Sequence, residues 1–141
     1  MAWVVDSCVL LDIALEDPKF GLASATYLAQ LHVSVVACPV SQIEIAPQFG
    51  GQLAKVKHFL QQSGIEHSID WIKADTEAAS IGWNAYVSAR RSGPTQKRPI
   101  ADVQIGGFAM RFEGLITRNG DDFRRWFPQL NIVEPIPLGW E

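Results

Sequence analysis

Four acidic residues lie where carboxylates could act together at one edge of a sheet. Three follow predicted strands closely, and one lies in the first turn of a predicted helix; in chain order they are Asp6, Glu44, Asp102 and Asp122. Ligands of open parallel sheets bind beyond the carboxyl ends of the strands, so we expect these side chains to approach one another. Two unit charges ~4 Å apart repel by about 4 kcal/mol at an effective dielectric of ~20, so such a cluster binds a cation, takes up protons or spreads apart. Oxygen ligands without a helping histidine or thiol favour Mg²⁺ or Mn²⁺.

Each acid also has a purely structural interpretation. Asp6 is a suitable N-cap residue for the helix that follows it. Ser41-Gln-Ile-Glu44 fits the capping box, in which the glutamate accepts a hydrogen bond from the backbone. Asp102 and Asp122 could be first-turn acids, which the helix dipole stabilises by ~0.3–1 kcal/mol. The apolar neighbours of Asp102 and Glu44 favour a paired or liganded carboxylate, because an isolated buried charge is costly.

Polar residues beside the acids could orient water or a ligand carboxylate, or could be turn and cap residues; they are Ser7, Thr117, Asn119 and Asp121. Asp121 leaves the fourth acidic position ambiguous, and we prefer Asp122 because it immediately precedes Phe123. Asp12 is interpreted as structural, because six residues along a helix place it near the face opposite to Asp6.

Basic residues flank the third and fourth acidic segments. Arg98 and Arg118 are the predicted substrate-binding residues, since their charges could contact the phosphate backbone of a nucleic acid. A solvated helix end is an equally good interpretation of these cations. Trp126 could stack on a base, but a core or interface position is the preferred interpretation.

The composition fits a single domain over residues 1–141. With 48% hydrophobic and 19% charged residues the chain can build a core and is not disordered. A net charge of −3 argues against strong non-specific nucleic-acid binding, although bound metal would offset an acidic site. Cys8 and Cys38 are interpreted as small buried residues, too few for a disulfide framework. Without a recognisable signal peptide or an apolar run of about 18 residues, a cytoplasmic protein with no membrane contact is expected.

Alternating strand and helix patterns must position these residues. Strands are predicted at 2–5, 33–38, 65–69, 114–117 and 131–134. Helices are predicted at 9–15, 22–31, 40–47, 53–62, 75–91, 99–110 and 122–127. This alternation implies right-handed crossovers and an α/β fold with a mainly parallel central sheet flanked by helices.

The four segments that carry the acids resemble the motifs of PIN-domain proteins. In the order that the family shows, the segments are 4–12, 41–44, 100–109 and 115–123. The likeness extends from residue 2 to about residue 134, and the most similar group is VapC-like, the toxin halves of toxin–antitoxin pairs. The chain departs from the usual pattern at Gln104, Gly106 and Gly107, so this helix is expected to be loosened or closely approached by another backbone.

That resemblance implies a PIN-like three-layer α/β/α domain that cuts RNA. The catalytic and metal-binding residues it implies are Asp6, Glu44, Asp102 and Asp122, with Mg²⁺ or Mn²⁺ activating water to hydrolyse the phosphodiester bond. It also implies a homodimer and a small antitoxin protein whose C-terminal segment blocks the site. Two alternatives stay open: a PIN-like module that binds RNA or protein without cutting, and another metal-dependent phosphoryl-transfer enzyme.

Overall fold

A five-stranded sheet forms the centre of the chain, as a computed structural model describes it for residues 2–92 and 99–135, with the backbone alone at 91 and 92. The strands are β1 (Trp3–Val5), β2 (Val35–Ala37), β3 (Ile65–Glu66), β4 (Gly114–Ile116) and β5 (Ile132–Val133). Their order is β3-β2-β1-β4-β5, and each neighbouring pair is parallel. The predicted parallel sheet is therefore confirmed, with β1 at its centre.

Helices connect the strands. They are α1 (Ser7–Ala14), α2 (Gly21–Gln30), α3 (Pro39–Ile45), a 3₁₀ helix (Ala46–Phe49), α4 (Leu53–Gln62), α5 (Lys73–Ser92), α6 (Ile100–Ala109) and α7 (Gly120–Trp126). The predicted elements all occur, although the strands are shorter than predicted. None of the helices in residues 2–92 and 99–135 combines the length and the hydropathy needed to cross a bilayer.

The sheet has a hydrophobic core on each face. Val4 and Leu115 point to one side, where they pack in a cluster with residues of α5, α6 and α7. Their neighbours Val5 and Ile116 point to the other side, where the cluster draws on α1, α3 and α4. Because successive side chains of a strand alternate between faces, these fully apolar strands are buried on both sides, as in other parallel sheets. The predicted three-layer α/β/α arrangement is confirmed.

The departure from the family pattern in α6 has a packing explanation. A Cβ at Gly107 would lie 2.6 Å from the backbone nitrogen of Ala79 in α5. A Cβ at Gly106 would overlap the ring of Phe127. The expectation that another backbone approaches this helix closely is confirmed, and the alternative of a loosened helix is wrong because α6 is continuous over its ten residues.

Candidate functional site

The carboxyl end of β1 is a topological switch point. From β1 the chain adds β2 and then β3 on one side, and afterwards crosses to add β4 on the other side of β1. Open α/β sheets bind their ligands in the crevice that forms where the strand order reverses in this way. The residue that follows β1 there is Asp6.

Asp6 is buried and held by three hydrogen bonds. Its side chain is at the N-cap of α1, where Oδ1 accepts the backbone N–H of Ser7 at 2.8 Å. Oδ2 accepts the Thr117 hydroxyl at 2.7 Å and the Cys8 thiol at 3.3 Å. The N-cap interpretation is thus confirmed. It does not exclude a binding role, because a carboxylate has about four acceptor positions and one position on Oδ1 is left over.

Within residues 2–92 and 99–135, no cation forms an ion pair with Asp6. Burial raises the pKa of the Asp6 carboxyl above its ordinary value, and the hydrogen bonds from Thr117, Cys8 and the Ser7 backbone offset part of that rise. The positive charge of Arg118, which is ion-paired with Asp12, offsets it least. A cation at this position would stabilise the ionised form.

Thr117 connects β4 to this site. It directly follows β4 and is fully buried, and its hydroxyl accepts the backbone N–H of Asn119 at 3.0 Å while donating to Asp6. The Cys8 sulfur lies 3.6 Å from the same hydroxyl. Burial and the charge of Asp6 raise the pKa of the Cys8 thiol to about 12, so this thiol is a hydrogen-bond donor at neutral pH.

Glu44 joins the site through Ser7. The Ser7 hydroxyl donates a 2.6 Å hydrogen bond to Oε1 of Glu44, so a single residue bridges Asp6 and Glu44. The capping-box interpretation of Ser41 and Glu44 is wrong: α3 begins after Cys38, which makes no side-chain capping bond. Glu44 is exposed, and its carboxylate faces the start of α1 instead of its own backbone.

The other two predicted acids lie in the first turns of α6 and α7. Asp102 is half-buried on α6, which packs against α3, the helix of Glu44. Asp122 is half-buried on α7, whereas Asp121 is exposed and accepts a 3.3 Å bond from Arg124. Within residues 2–92 and 99–135, no group of three His, Cys, Asp or Glu side chains is arranged to hold a metal ion. Hydrogen bonds through Ser7 therefore unite Asp6 and Glu44, whereas Asp102 and Asp122 are placed on two other helices, α6 and α7.

The residues fit a hard divalent cation by their chemistry. Asp6 and Glu44 offer carboxylate oxygens, and the burial of Asp6 leaves a negative charge for a cation to offset. Mg²⁺ is commonly held by one or two carboxylates and keeps several of its waters, so a closed cage of protein ligands is not required. The carboxylate oxygens of Asp6 and Glu44 are hard ligands, which favour Mg²⁺ or Mn²⁺ over zinc.

Arg118 is held by an acid of α1, Asp12. Its guanidinium makes two bonds to Asp12, of 2.5 and 2.9 Å, and stacks over the ring of Phe20 at 4.2 Å. The ion pair agrees with the structural interpretation of Asp12. Arg98, the other predicted substrate-binding residue, lies outside the described residues. Trp126 is only 2% exposed, so the preferred core interpretation is confirmed.

Sequence reasoning underestimated Thr117 and Cys8. Thr117 was predicted beside the acids without a definite partner, and Cys8 was interpreted as a small buried residue. The available signal was the position of each: Cys8 lies two residues after Asp6, and Thr117 is the first residue after β4, which neighbours β1. Ser7, which was predicted in the same group as Thr117, likewise donates a hydrogen bond to a carboxylate of the site.

The parallel sheet with helices on both faces is a PIN-like α/β/α fold. The chain is similar in structure to a chain of VapBC2 from Rickettsia felis. The crystal structure of VapBC2 contains a DNA fragment from the VapBC2 promoter. The TM-score is 0.67 at 14% sequence identity, and the match covers 95% of this chain and 98% of that one. No family model and no curated protein matches the sequence. The likeness confirms the predicted VapC-like, PIN-like fold.

Proposed function

We propose that this chain is a metal-dependent endoribonuclease of the PIN type and the toxin component of a toxin–antitoxin pair. The observation that carries the proposal is the buried Asp6 carboxylate at the switch point, bridged by Ser7 to Glu44. The fold shared with VapBC2 supports the class of protein. Asp102 and Asp122 complete the acidic site in this proposal.

The chain's own residues would position the ion and the substrate. Asp6, Glu44 and Asp102 would hold Mg²⁺ or Mn²⁺, directly or through water, with Asp122 completing the acidic wall. Bound metal lowers the pKa of a water ligand and stabilises charge on the phosphate during in-line displacement. Ser7 and Thr117 keep the carboxylates of Glu44 and Asp6 oriented, and Asn119 steadies Thr117 through its backbone N–H. Arg98 and Arg118 are proposed phosphate contacts.

The same comparison supports one partner. The similar structure is a VapBC2 assembly with DNA, so we propose a small antitoxin protein as a partner of this chain. RNA as its substrate and a homodimer as its assembly are further proposals, which the resemblance to the VapC-like group implies.

Cleavage of a mixed RNA pool tests the proposal. Wild-type protein should cut the pool with Mg²⁺ or Mn²⁺, and EDTA should abolish cutting. Asp102→Asn should be inactive, while Asp70→Asn, which changes an exposed acid outside the site, should remain active. Equal cutting by wild type and Asp102→Asn would contradict the assignment.

A module that binds RNA or protein without cutting is the second candidate. It is favoured by the lack of a three-ligand group among the described residues. If the wild-type protein binds RNA but does not cut it, either with added metal or with EDTA, this candidate is favoured over the nuclease.

A further inference from the structure

A groove between the 3₁₀ helix and α4 combines aromatic and cationic side chains. It encloses about 520 Å³ and is lined by Phe49, Ala54, Lys55, His58, Phe59 and Gln62. The rings of Phe49 and Phe59 are half-buried, with their centroids 5.4 Å apart. Lys55 and His58 are exposed. The groove therefore has an aromatic wall and a basic rim.

Lys55 carries a positive charge at the rim of the groove, and it forms no ion pair in the described part of the chain. Residues 45–65 include two lysines and one histidine but no acid, although the whole chain has a net charge of −3. Lys55 and Lys57 make no ion pair within the described ranges. Arg111 and Arg118, by contrast, are each bound to a buried aspartate. The cations of α4 thus remain available to an anionic ligand.

Two glycines shape the groove. Gly50 and Gly51 have φ of 65° and 74°, a left-handed conformation that L side chains rarely adopt. The backbone N–H of Gly51 donates to the carbonyl of Ala46 at 2.9 Å, which closes the turn and folds α4 back beside the 3₁₀ helix. Phe49 lies five positions after Glu44, which corresponds to about 8–10 Å of helical rise from the end of α3 through the 3₁₀ helix. At ~3.4 Å per stacked nucleotide, that distance is about two to three nucleotides.

We propose that this groove is a subsite for single-stranded RNA beside the acidic site, an inference that rests on the proposed nuclease function. Bases stack on Phe49 and Phe59, and phosphates contact Lys55 and His58. Proteins that bind single strands without sequence preference combine aromatic side chains, which stack on the bases, with a positively charged groove that contacts the phosphates. The strand then continues past Glu44 toward Asp6.

RNA binding by point variants tests the subsite. The probe is a fluorescein-labelled, single-stranded RNA of about 12 nucleotides and mixed sequence, measured by anisotropy with Mg²⁺ in an Asp102→Asn background that should not cut. Lys55→Gln should weaken binding and reduce the slope of log Kd against log salt by about 0.7, the value for one phosphate contact on a single strand. Phe49→Leu should weaken binding roughly fivefold or more, through lost stacking.

Lys57→Gln is the matched control. It removes the same charge from the same exposed helix, but Lys57 does not line the groove. The RNA affinity of this variant, and the slope of its log Kd against log salt, should stay close to those of the Asp102→Asn protein. Thermal unfolding of each variant checks folding, and the exposed Lys55 makes its variant informative even if Phe49→Leu is destabilised.

The outcomes separate this inference from the function it rests on. Equal losses from Lys55→Gln and Lys57→Gln would overturn the subsite, because general charge would then explain both. If wild type cuts RNA but the groove variants bind and cut normally, the subsite fails and the nuclease stands. If wild type neither cuts nor binds RNA, both fail. A change in self-association by Phe49→Leu, without RNA binding, would assign the groove to a protein contact instead.

Discussion

The Thr117 hydroxyl donates a 2.7 Å hydrogen bond to Oδ2 of Asp6, across 111 positions of sequence. The bond joins the ends of two neighbouring strands, β4 and β1. It is itself fixed by the backbone N–H of Asn119, which donates to the same hydroxyl. The orientation of the central carboxylate therefore depends on the segment that leaves β4.

Thr117→Val should impair both stability and cleavage. The substitution keeps the side-chain shape but removes a buried hydroxyl, which leaves the Asn119 N–H without its acceptor. We expect a loss of about 1–3 kcal/mol in the free energy of unfolding. Cleavage should fall roughly 10–100-fold, as for residues that orient metal ligands. Denaturant unfolding and RNA cleavage measure the two effects, and Thr117→Ser should retain most of both. Wild-type cleavage by Thr117→Val would show that Thr117 does not position Asp6.

Asp6→Asn should stabilise the metal-free protein at neutral pH. Because burial raises the pKa of Asp6 above its value in the unfolded chain, protonation of this group favours folding. That contribution is present below the unfolded pKa, near 3.8, and is lost as the pH rises through the raised folded pKa. The variant and wild type should have similar melting temperatures at low pH. As the pH rises, the melting temperature of the variant should exceed that of wild type by roughly 2–5 °C. Thermal melts in EDTA across this range measure the difference, and an Asp6→Asn variant that melts below wild type at pH 7 would contradict it.

Glu44→Gln should abolish cleavage and leave stability nearly unchanged. Glu44 is exposed, so the free energy of unfolding should change by no more than about 0.5 kcal/mol. The loss of a ligand charge should weaken metal binding, measured by calorimetry. Glu113→Gln removes an exposed acid elsewhere and should behave as wild type. If both variants cut RNA equally well, Glu44 does not belong to the site.

Arg118→Leu should destabilise the fold through Asp12. The Asp12 carboxylate is 6% exposed and would be left without its partner, at a cost of about 2–4 kcal/mol. Adding Asp12→Asn should recover part of that loss, because the uncompensated charge is then removed. Denaturant unfolding of the two single variants and the double variant gives the coupling between the residues. Simple additivity of the two losses would mean that the ion pair contributes little.

Gly107→Ala should destabilise the protein even though alanine is the better helix former. Helix propensity alone predicts a gain of about 1 kcal/mol. The new Cβ, however, would lie 2.6 Å from the backbone nitrogen of Ala79, so α5 and α6 would have to separate. We expect a net loss of about 1–3 kcal/mol. The sign of the change in thermal midpoint decides between the two effects.

The sequence predicted the fold well because local signals agree with the tertiary structure. Helix α4 begins and ends where its apolar spacing and Gly64 place it. The acids were chosen as candidates because residues directly after parallel strands gather at one edge of the sheet. Asp6, for example, follows β1, and β1 proved to be the central strand.

The pairings of the site could not be predicted, because they depend on contacts between distant segments. Ser41-Gln-Ile-Glu44 fits a capping box by its spacing, yet Glu44 bonds to Ser7, 37 positions away. Nothing in the sequence indicates that Asp12 and Arg118 pair with each other, yet their ion pair links α1 to the segment after β4. Local patterns give candidate residues, and only strand order decides which of them meet.

The burial of Asp6 gives a way to measure ion preference without any substrate. A cation that binds only the folded chain increases the free energy of unfolding, by about 2.7 kcal/mol at 100 times its Kd, and so raises the melting temperature. Within residues 2–92 and 99–135 no ion pair includes Asp6, and Arg118 is paired with Asp12, so a bound cation would offset the charge of Asp6. Melting curves with Mg²⁺, Mn²⁺ and Ca²⁺ would therefore rank these ions directly, and the ranking should collapse in the Asp6→Asn variant.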